Sequence, residues 1–237
     1  MGLLRKFRKW RTVKIARKDN RLSDMIHSLR YEVIGSDNVV SVDKDNNQKQ
    51  LLRVSISIKG TGNSISIGKN IRVGRGLQIH VRGHGNKVII GDSIEVVENL
   101  SIGILKSCCN GVVSIGDGTT FWKTSLKNYD TASLLSIGKD CMFSYDTSIV
   151  NTDEHAVLND GSVVNRGQRL ELSDHVWVGW GASVLKNTTV SKNSIIGRGA
   201  IVSGKFEEEG SVLVGVPARV VRKGISWSRK SVNDFEQ

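Results

Sequence analysis

LSDHVW-VGWGAS-VLKNTT-VSKNSI-IGRGAI-VSGKF, residues 172–206, carries an aliphatic side chain at every sixth position: Leu172, Val178, Val184, Val190, Ile196 and Val202. Four residues after each stand Val176, Ala182, Thr188, Ser194, Ala200 and Phe206, most of them small or β-branched. A helix repeats every 3.6 residues and a half-buried strand every second residue, so neither gives a strict period of six. Six is the period of a parallel β-helix, in which each short strand is one side of a coil. One aliphatic residue per side points into a narrow prism, and the small residue fills the inward space at the corner. Three sides make a coil of 18 residues, which places Val178 beneath Ile196 and Ala182 beneath Ala200. Coils stacked at the inter-strand spacing of about 4.8 Å pair their backbone groups and build the core layer by layer. Gly179, Gly181, Gly197 and Gly199 fit tight corners with unusual backbone angles.

Elsewhere in the chain the period weakens but persists. Ile65-Ser-Ile-Gly, Ile90-Gly-Asp, Ile115-Gly-Asp and Ile137-Gly-Lys mark one corner type returning once per coil. Residues 54–206 leave room for about eight coils of 18 residues, with surface bulges expected at 106–111 and 123–132. The period breaks after Ile149. A polar stretch, residues 156–171, is inserted directly behind NTDEH (residues 151–155), and a loop inserted into a regular scaffold is where function tends to be carried. The expected division is a helical N-terminal segment over 1–35, a β-helix over 36–223 and a short polar tail over 224–237 containing Trp227.

Composition narrows the function classes. With 34 Lys and Arg against 23 Asp and Glu, the net charge of +11 favours anionic partners. Ten of the cations fall within residues 1–30, where Leu4, Phe7 and Trp10 form an apolar stripe. That pattern fits a basic amphipathic helix, read either as a cap over the first coil or as peripheral membrane contact. No run of 18 apolar residues is present, so the chain is not expected to span a membrane. Three cysteines, two of them adjacent at 108 and 109, do not suit a disulfide framework. Cys141 falls in a small-residue slot of the core, and no Cys or His spacing suits zinc. Reduced thiols and no secretory signal point to the cytoplasm, or to the inner face of its membrane if residues 1–30 touch lipid. Nucleic-acid binding is not expected, because no aromatic platform or known module accompanies the basic residues.

Four ordered stretches, Asn151-Thr-Asp-Glu-His155, Ser173-Asp-His-Val-Trp-Val-Gly179, the hexapeptides to Val202 and Gly215-Val-Pro-Ala-Arg-Val-Val-Arg222, carry a resemblance. Over residues 60–223 the chain resembles the left-handed β-helix acetyltransferases of the hexapeptide-repeat superfamily, especially sugar O-acetyltransferases of bacterial capsule and lipopolysaccharide. The resemblance implies an all-β, left-handed coil, against the usual hand of parallel crossovers, and a homotrimer with active sites between subunits. It implies acetyl-CoA as co-substrate and a glycan or glycolipid acceptor, with no metal.

Residue by residue, the resemblance puts the general base on His155. A sugar hydroxyl needs a base as it attacks a thioester, and histidine titrates near working pH. Asp153 matches an Asp-x-His pattern and is expected to orient the ring. The backbone at Ala182 and Ala200 is expected to hydrogen-bond the pantetheine arm. Lys205, Arg219 and Arg222 are expected at its phosphates, where guanidinium groups bind bidentately. Trp177 on an outer face, with Asn165, Arg166 and Arg169 on the inserted loop, are acceptor candidates. His175 is read as structural, His80 and His84 as solvated in a glycine-rich turn, and Trp180 has no assigned role. Three other readings stay open. They are an N-acetyltransferase of a nucleotide-linked amino sugar, a non-catalytic trimeric scaffold, and a β-helical carbonic anhydrase, which would need three zinc-binding histidines.

Overall fold

The computed structural model describes residues 29–235 of the 237-residue chain. Of the helical N-terminal segment expected over 1–35, residues 1–28, with the expected membrane contact, lie outside the described residues, and the remainder is not helical, since Arg30–Ile34 is a strand. From Arg30 onward the chain winds into a left-handed parallel β-helix. One sheet stacks eight parallel strands in the order Val39–Val42, Ser64–Ile67, Lys87–Ile90, Val112–Ile115, Leu134–Ile137, Arg169–Leu172, Thr189–Val190 and Lys205–Phe206. The other two sides form one larger sheet, because long strands of the early coils bend around a corner. Thr120–Lys127 shows the change: it is followed by two short strands, Met142–Phe143 against its first half and Thr147–Val150 against its second. Among the described residues no helix is long and apolar enough to cross a membrane.

In the C-terminal half the coil has the expected length and register. Val178 pairs with Ile196 and Val184 with Val202, and all the six-residue aliphatic positions are buried. Earlier coils are longer than 18 residues. From Val40 to Ile65 the step is 25, from Ile65 to Val88 it is 23, and from Val113 to Leu135 it is 22. Sides such as Val54–Thr61 and Gly76–His84 hold eight and nine residues and put several inward side chains in each layer. The wider prism there is filled by larger side chains, including the stacked pair Phe121 and Phe143, 4.7 Å apart. The stack also begins earlier than expected: Arg30–Ile34 pairs with Val54–Thr61 as part of the first layer. The first expected bulge is seen as a register shift opposite residues 105–107. Of the second, expected over 123–132, residues 123–127 run regularly, 128–133 turn between strands, and a further register shift falls between Phe121 and Lys123.

Only two of the four corner glycines need the left-handed region. Gly181 and Gly199 have φ of +68° and +67°. Gly179 lacks a side chain for want of space: a Cβ there would come within 2.8 Å of the backbone of the next coil.

Another corner is closed by buried asparagines. Asn63 donates through Nδ2 to Asn38 Oδ1 at 2.9 Å, and Asn86 donates in the same way to Asn63 Oδ1 at 3.0 Å. Asn86 Oδ1 then accepts from the Gly111 N–H at 2.8 Å. The ladder resumes with Asn128 and Asn151, joined at 3.0 Å. All five asparagine side chains are buried, and each satisfies the backbone of its neighbours where the chain turns.

The C-terminal tail is docked rather than a free polar end. Trp227 is buried and stacks flat on His175 at 4.0 Å. Its indole N–H donates to the His175 carbonyl at 2.8 Å. Arg229 donates to Asp140, Thr120 and the carbonyls of Gly118 and Cys141. The basic and aromatic residues of the tail thus close over the side of the stack.

Candidate active site

The asparagine ladder leads directly to His155. Asn151, at the end of Thr147–Val150, donates to Asn128 Oδ1 and to the Leu134 carbonyl, both at 3.0 Å. Its Oδ1 accepts from the Asn187 N–H of the next coil at 3.4 Å. After Asn151 the chain leaves the coil. Thr152 Oγ1 accepts from the Glu154 N–H at 3.0 Å, and Glu154 takes a left-handed φ of +63°. The His155 N–H then closes a tight turn onto the Asp153 carbonyl at 2.7 Å.

Residues 156–168 form the insertion, built on a small antiparallel hairpin of Leu158–Asn159 and Ser162–Val163. The chain is back in the coil by Arg169, two residues before the expected loop end, and Arg169 is ion-paired with Glu171 at 2.7 Å. Between hairpin and stack lies a cavity of about 200 Å³, lined by Asp130, Thr152, Asp153, Glu154, His155, Arg166 and others. His155 is exposed at this cavity.

The expected partner of the histidine is engaged elsewhere. The Asp153 carboxylate accepts from Lys186 Nζ and from Asn165 Nδ2, the latter at 2.8 Å. These hydrogen bonds, Lys186 first, hold its pKa below the usual carboxylate range. Among the described residues no group hydrogen-bonds the His155 ring, and the Asp153 carboxylate does not contact it. Asn165, expected to touch the acceptor, instead ties the loop together. Its Oδ1 accepts from the Val157 N–H, and its Nδ2 donates to Asp153 and to the His155 carbonyl, each at 2.8 Å. Arg166 does line the cavity, and among the described residues its guanidinium has no carboxylate partner.

Several positioning residues escape a sequence reading. Lys186 and Asn187 on the next coil grip both feet of the insertion: Asn187 Oδ1 accepts from the Gln168 N–H at 2.7 Å, and its Nδ2 donates to the Arg166 carbonyl at 3.1 Å. Lys127 pairs with Glu154 at 2.9 Å, and Asp130 accepts from the Gly167 N–H. The insertion hides these pairings by breaking the period. The signal that survives is the asparagine standing two residues after the last inward side chain, at Asn128 after Leu126 and Asn151 after Ile149.

The remaining expected sites lie apart from the cavity. Trp177 is half-buried, with its indole 3.4 Å from Ser144 Oγ and 6.1 Å from the Trp227 ring, and it does not line the cavity. Ala182 and Ala200 stack at one corner, but their N–H groups close their own turns onto Gly179 and Gly197. Their carbonyls accept from Ser148 and Ser183. Each alanine carbonyl accepts one such bond and keeps a second lone pair. Lys205, Arg219 and Arg222 are exposed on the last strands of the stack. His175 links Asp140 at 2.7 Å to the Trp227 carbonyl at 3.0 Å, a structural role. Burial pushes the Asp140 carboxyl up, but the hydrogen bonds from Arg229 and His175 outweigh it and leave the pKa lowered. His80 and His84 belong to the regular strand Gly76–His84 rather than to a turn. Among the described residues no cluster of three His, Cys, Asp or Glu side chains could hold a metal ion.

Fold and repeat together define a left-handed hexapeptide-repeat β-helix, interrupted by one insertion with a histidine at its foot. Its sequence relatives are acetyltransferases. The chain is 30% identical over 98 residues to a polysialic acid O-acetyltransferase of Neisseria meningitidis, a match covering 40% of this chain and 46% of the relative. It is 28% identical over 115 residues to a putative acetyltransferase of Schizosaccharomyces pombe, covering 46% of this chain and 54% of that one. The chain thus matches about half the length of these relatives. Among solved structures, the polysialic acid O-acetyltransferase OatWY superposes with a TM-score of 0.73 at 24% identity, over 87% of this chain and 96% of that one. The polysialic acid-specific acetyltransferase NeuO gives 0.66 at 20% identity, over 86% and 84%. No protein-family model matches the chain.

Proposed function

We propose that the protein transfers an acetyl group from acetyl-CoA to a hydroxyl of an acidic bacterial surface polysaccharide, or of its precursor, with His155 as general base. The observation that carries this reading is the single departure from a ruled scaffold. One histidine stands at a cavity four residues after Asn151, which is hydrogen-bonded to the coils on either side, in a chain similar to a polysialic acid O-acetyltransferase. In the reaction, a ring nitrogen of His155 takes the proton of the acceptor hydroxyl as its oxygen attacks the thioester carbonyl. The C–S bond breaks, and the imidazolium returns the proton to the departing CoA thiolate. Arg166, which has no carboxylate partner among the described residues, suits an anionic acceptor at the cavity.

Asp153 acts in this reading through Lys186 and Asn165, as a positioning residue. Acetyl-CoA would run along the corner of Ala182 and Ala200 towards the cations Lys205, Arg219 and Arg222. In this reading the chain assembles as a homotrimer, and a neighbouring subunit supplies the ring partner that His155 lacks among the described residues. The reaction belongs on the cytoplasmic side, where acetyl-CoA is made.

The test is thiol release from acetyl-CoA with polysialic acid and other glycans, comparing the protein with His155→Ala. Acceptor-dependent release that falls by two orders of magnitude or more in the variant is the expected result. Undiminished turnover in His155→Ala, or no release with any glycan, sinks the reading.

A further inference from the structure

Outside the cavity, one corner of the stack carries a row of outward aromatic side chains, two of them exposed and the middle one half-buried. Trp122, Tyr145 and Trp180 come from three successive coils, at ring-to-ring steps of 4.9 and 5.3 Å. Trp180 is 48% exposed and Trp122 36%. On the fourth coil, the Arg198 guanidinium sits 4.8 Å from the centre of the Trp180 ring. The register explains the row. Phe121, Phe143, Val178 and Ile196 are stacked inward positions, and each is followed within two residues by a member of the row. The stack therefore brings together four outward side chains that are 23, 35 and 18 positions apart in the chain.

Large aromatic groups left in water lose the gain from burial, and a row of them on a protein surface marks a place that meets a ligand. We infer that this row is a platform for the acceptor glycan, with sugar rings packed on Trp122, Tyr145 and Trp180 and a glycan carboxylate paired with Arg198. The inference rests on the transferase reading for its choice of ligand. The apolar C–H face of a sugar ring suits an indole plane, whose N–H edge can also hydrogen-bond hydroxyls. The charge selects an acidic glycan. Lys123 beside the row is occupied by Asp146 at 2.6 Å, whereas among the described residues Arg198 has no carboxylate partner. A nucleotide diphosphate would demand more than this single open cation.

The experiment measures glycan binding without turnover, by tryptophan fluorescence and calorimetry on the full chain carrying His155→Ala, with polysialic acid as probe. A carboxyl-reduced form of the same polymer serves as the neutral control. Trp122→Ala and Trp180→Ala are each expected to weaken binding at least tenfold, while Trp122→Phe retains it. Arg198→Gln is expected to weaken binding of the acidic polymer and leave that of the reduced polymer unchanged. Light scattering and the KM for acetyl-CoA are followed in parallel, in the His155 background where turnover is read. Parental affinity in the tryptophan variants overturns the platform, as does failure of the parent to bind any acidic glycan. A change confined to the acetyl-CoA KM would assign the row to the cofactor, and a change in oligomeric state would assign it to a subunit contact; either overturns the proposal. Binding that depends on the row without any acetyl transfer would remove the transferase reading and leave the platform standing.

Discussion

Replacing Asn165 with alanine removes three hydrogen bonds of 2.8 Å that tie the insertion together and to the turn bearing His155. Two are neutral and partly exposed, each worth about 0.5–1 kcal/mol net, and the one to the Asp153 carboxylate about 1.5 kcal/mol. Together they hold the hairpin by about 3 kcal/mol, so the closed arrangement loses about two orders of magnitude in population relative to open ones. Lys186 and Asn187 still grip the feet of the loop, so global stability should fall by no more than about 1 kcal/mol. The expected result is a kcat lowered about 10- to 100-fold with the KM for acetyl-CoA little changed, since a displaced base loses its alignment. Hydrogen exchange gives a readout independent of turnover: the Val157 amide should exchange faster while the core amides do not. Asn165→Asp is the sharper variant. It preserves the shape and the Val157 contact but sets a second carboxylate against Asp153, so at neutral pH it should be at least as damaging as alanine. Full activity in Asn165→Asp, or an activity loss in Asn165→Ala that tracks a lowered Tm, would refute the positioning role.

Trp227→Ala should free the C-terminal tail at a cost of about 3 kcal/mol, as for other large aromatic truncations, read as faster proteolysis after residue 223 with the coils intact. Asn63→Ala leaves the Asn86 N–H and the Gly83 carbonyl without their side-chain partner. Urea unfolding should show a loss of about 2–4 kcal/mol, since each unsatisfied buried group costs about 1–3 kcal/mol. Asp140 and Asp153 both have lowered pKa values, so the folded state binds fewer protons than the unfolded one near those values. Their contribution is complete above the ordinary aspartate value of about 3.9 and is lost as pH falls through the lower folded values. Asp140→Asn and Asp153→Asn should each flatten the decline of Tm on acidification, and an unchanged acid limb in both would count against the linkage. Cys141, buried with its thiol pushed up to about 12, should resist a thiol reagent in the native protein and react only on unfolding.

How much of this was legible depended on how many residues each layer asks for. From Leu172 onward each side of the coil contributes one inward aliphatic residue, so the period of six survives and register, core and small-residue corners follow from it. In the early coils a side such as Gly76–His84 sends in four buried residues by simple alternation. Period two then replaces period six, and coil length can no longer be counted. Arg30–Ile34 was missed for a related reason: an edge strand with only Val33 buried has no pattern to detect. In the site, His155 was legible because it ends a motif at the break in the period. Its supports were not, because Lys186 and Asn187 reach the loop only through a register that the insertion conceals. The tail illustrates the opposite error. Residues 224–237 have a polar composition, yet Trp227 and Arg229 find partners on coils some 50 to 110 positions earlier.

The scaffold and the site answer to different rules, and this separates their mutations. Each coil is held by its neighbours through aliphatic layers and buried asparagines, so damage there is paid in stability and stays local to adjacent layers. The insertion begins where Asn151 would otherwise lead into the next side of its coil. It inherits a rigid foot from that ladder but makes its own contacts through groups that are mostly exposed: Asp153, Asn165, Lys186. Exposed hydrogen bonds contribute little to global stability, yet here they hold the backbone of the turn that carries His155. Substitutions at these positions should therefore cost activity far more than stability, and substitutions at Asn128 or Asn63 the reverse. A set of variants in which the two losses rise together at every position would show that the loop is not an independent device carried by the β-helix.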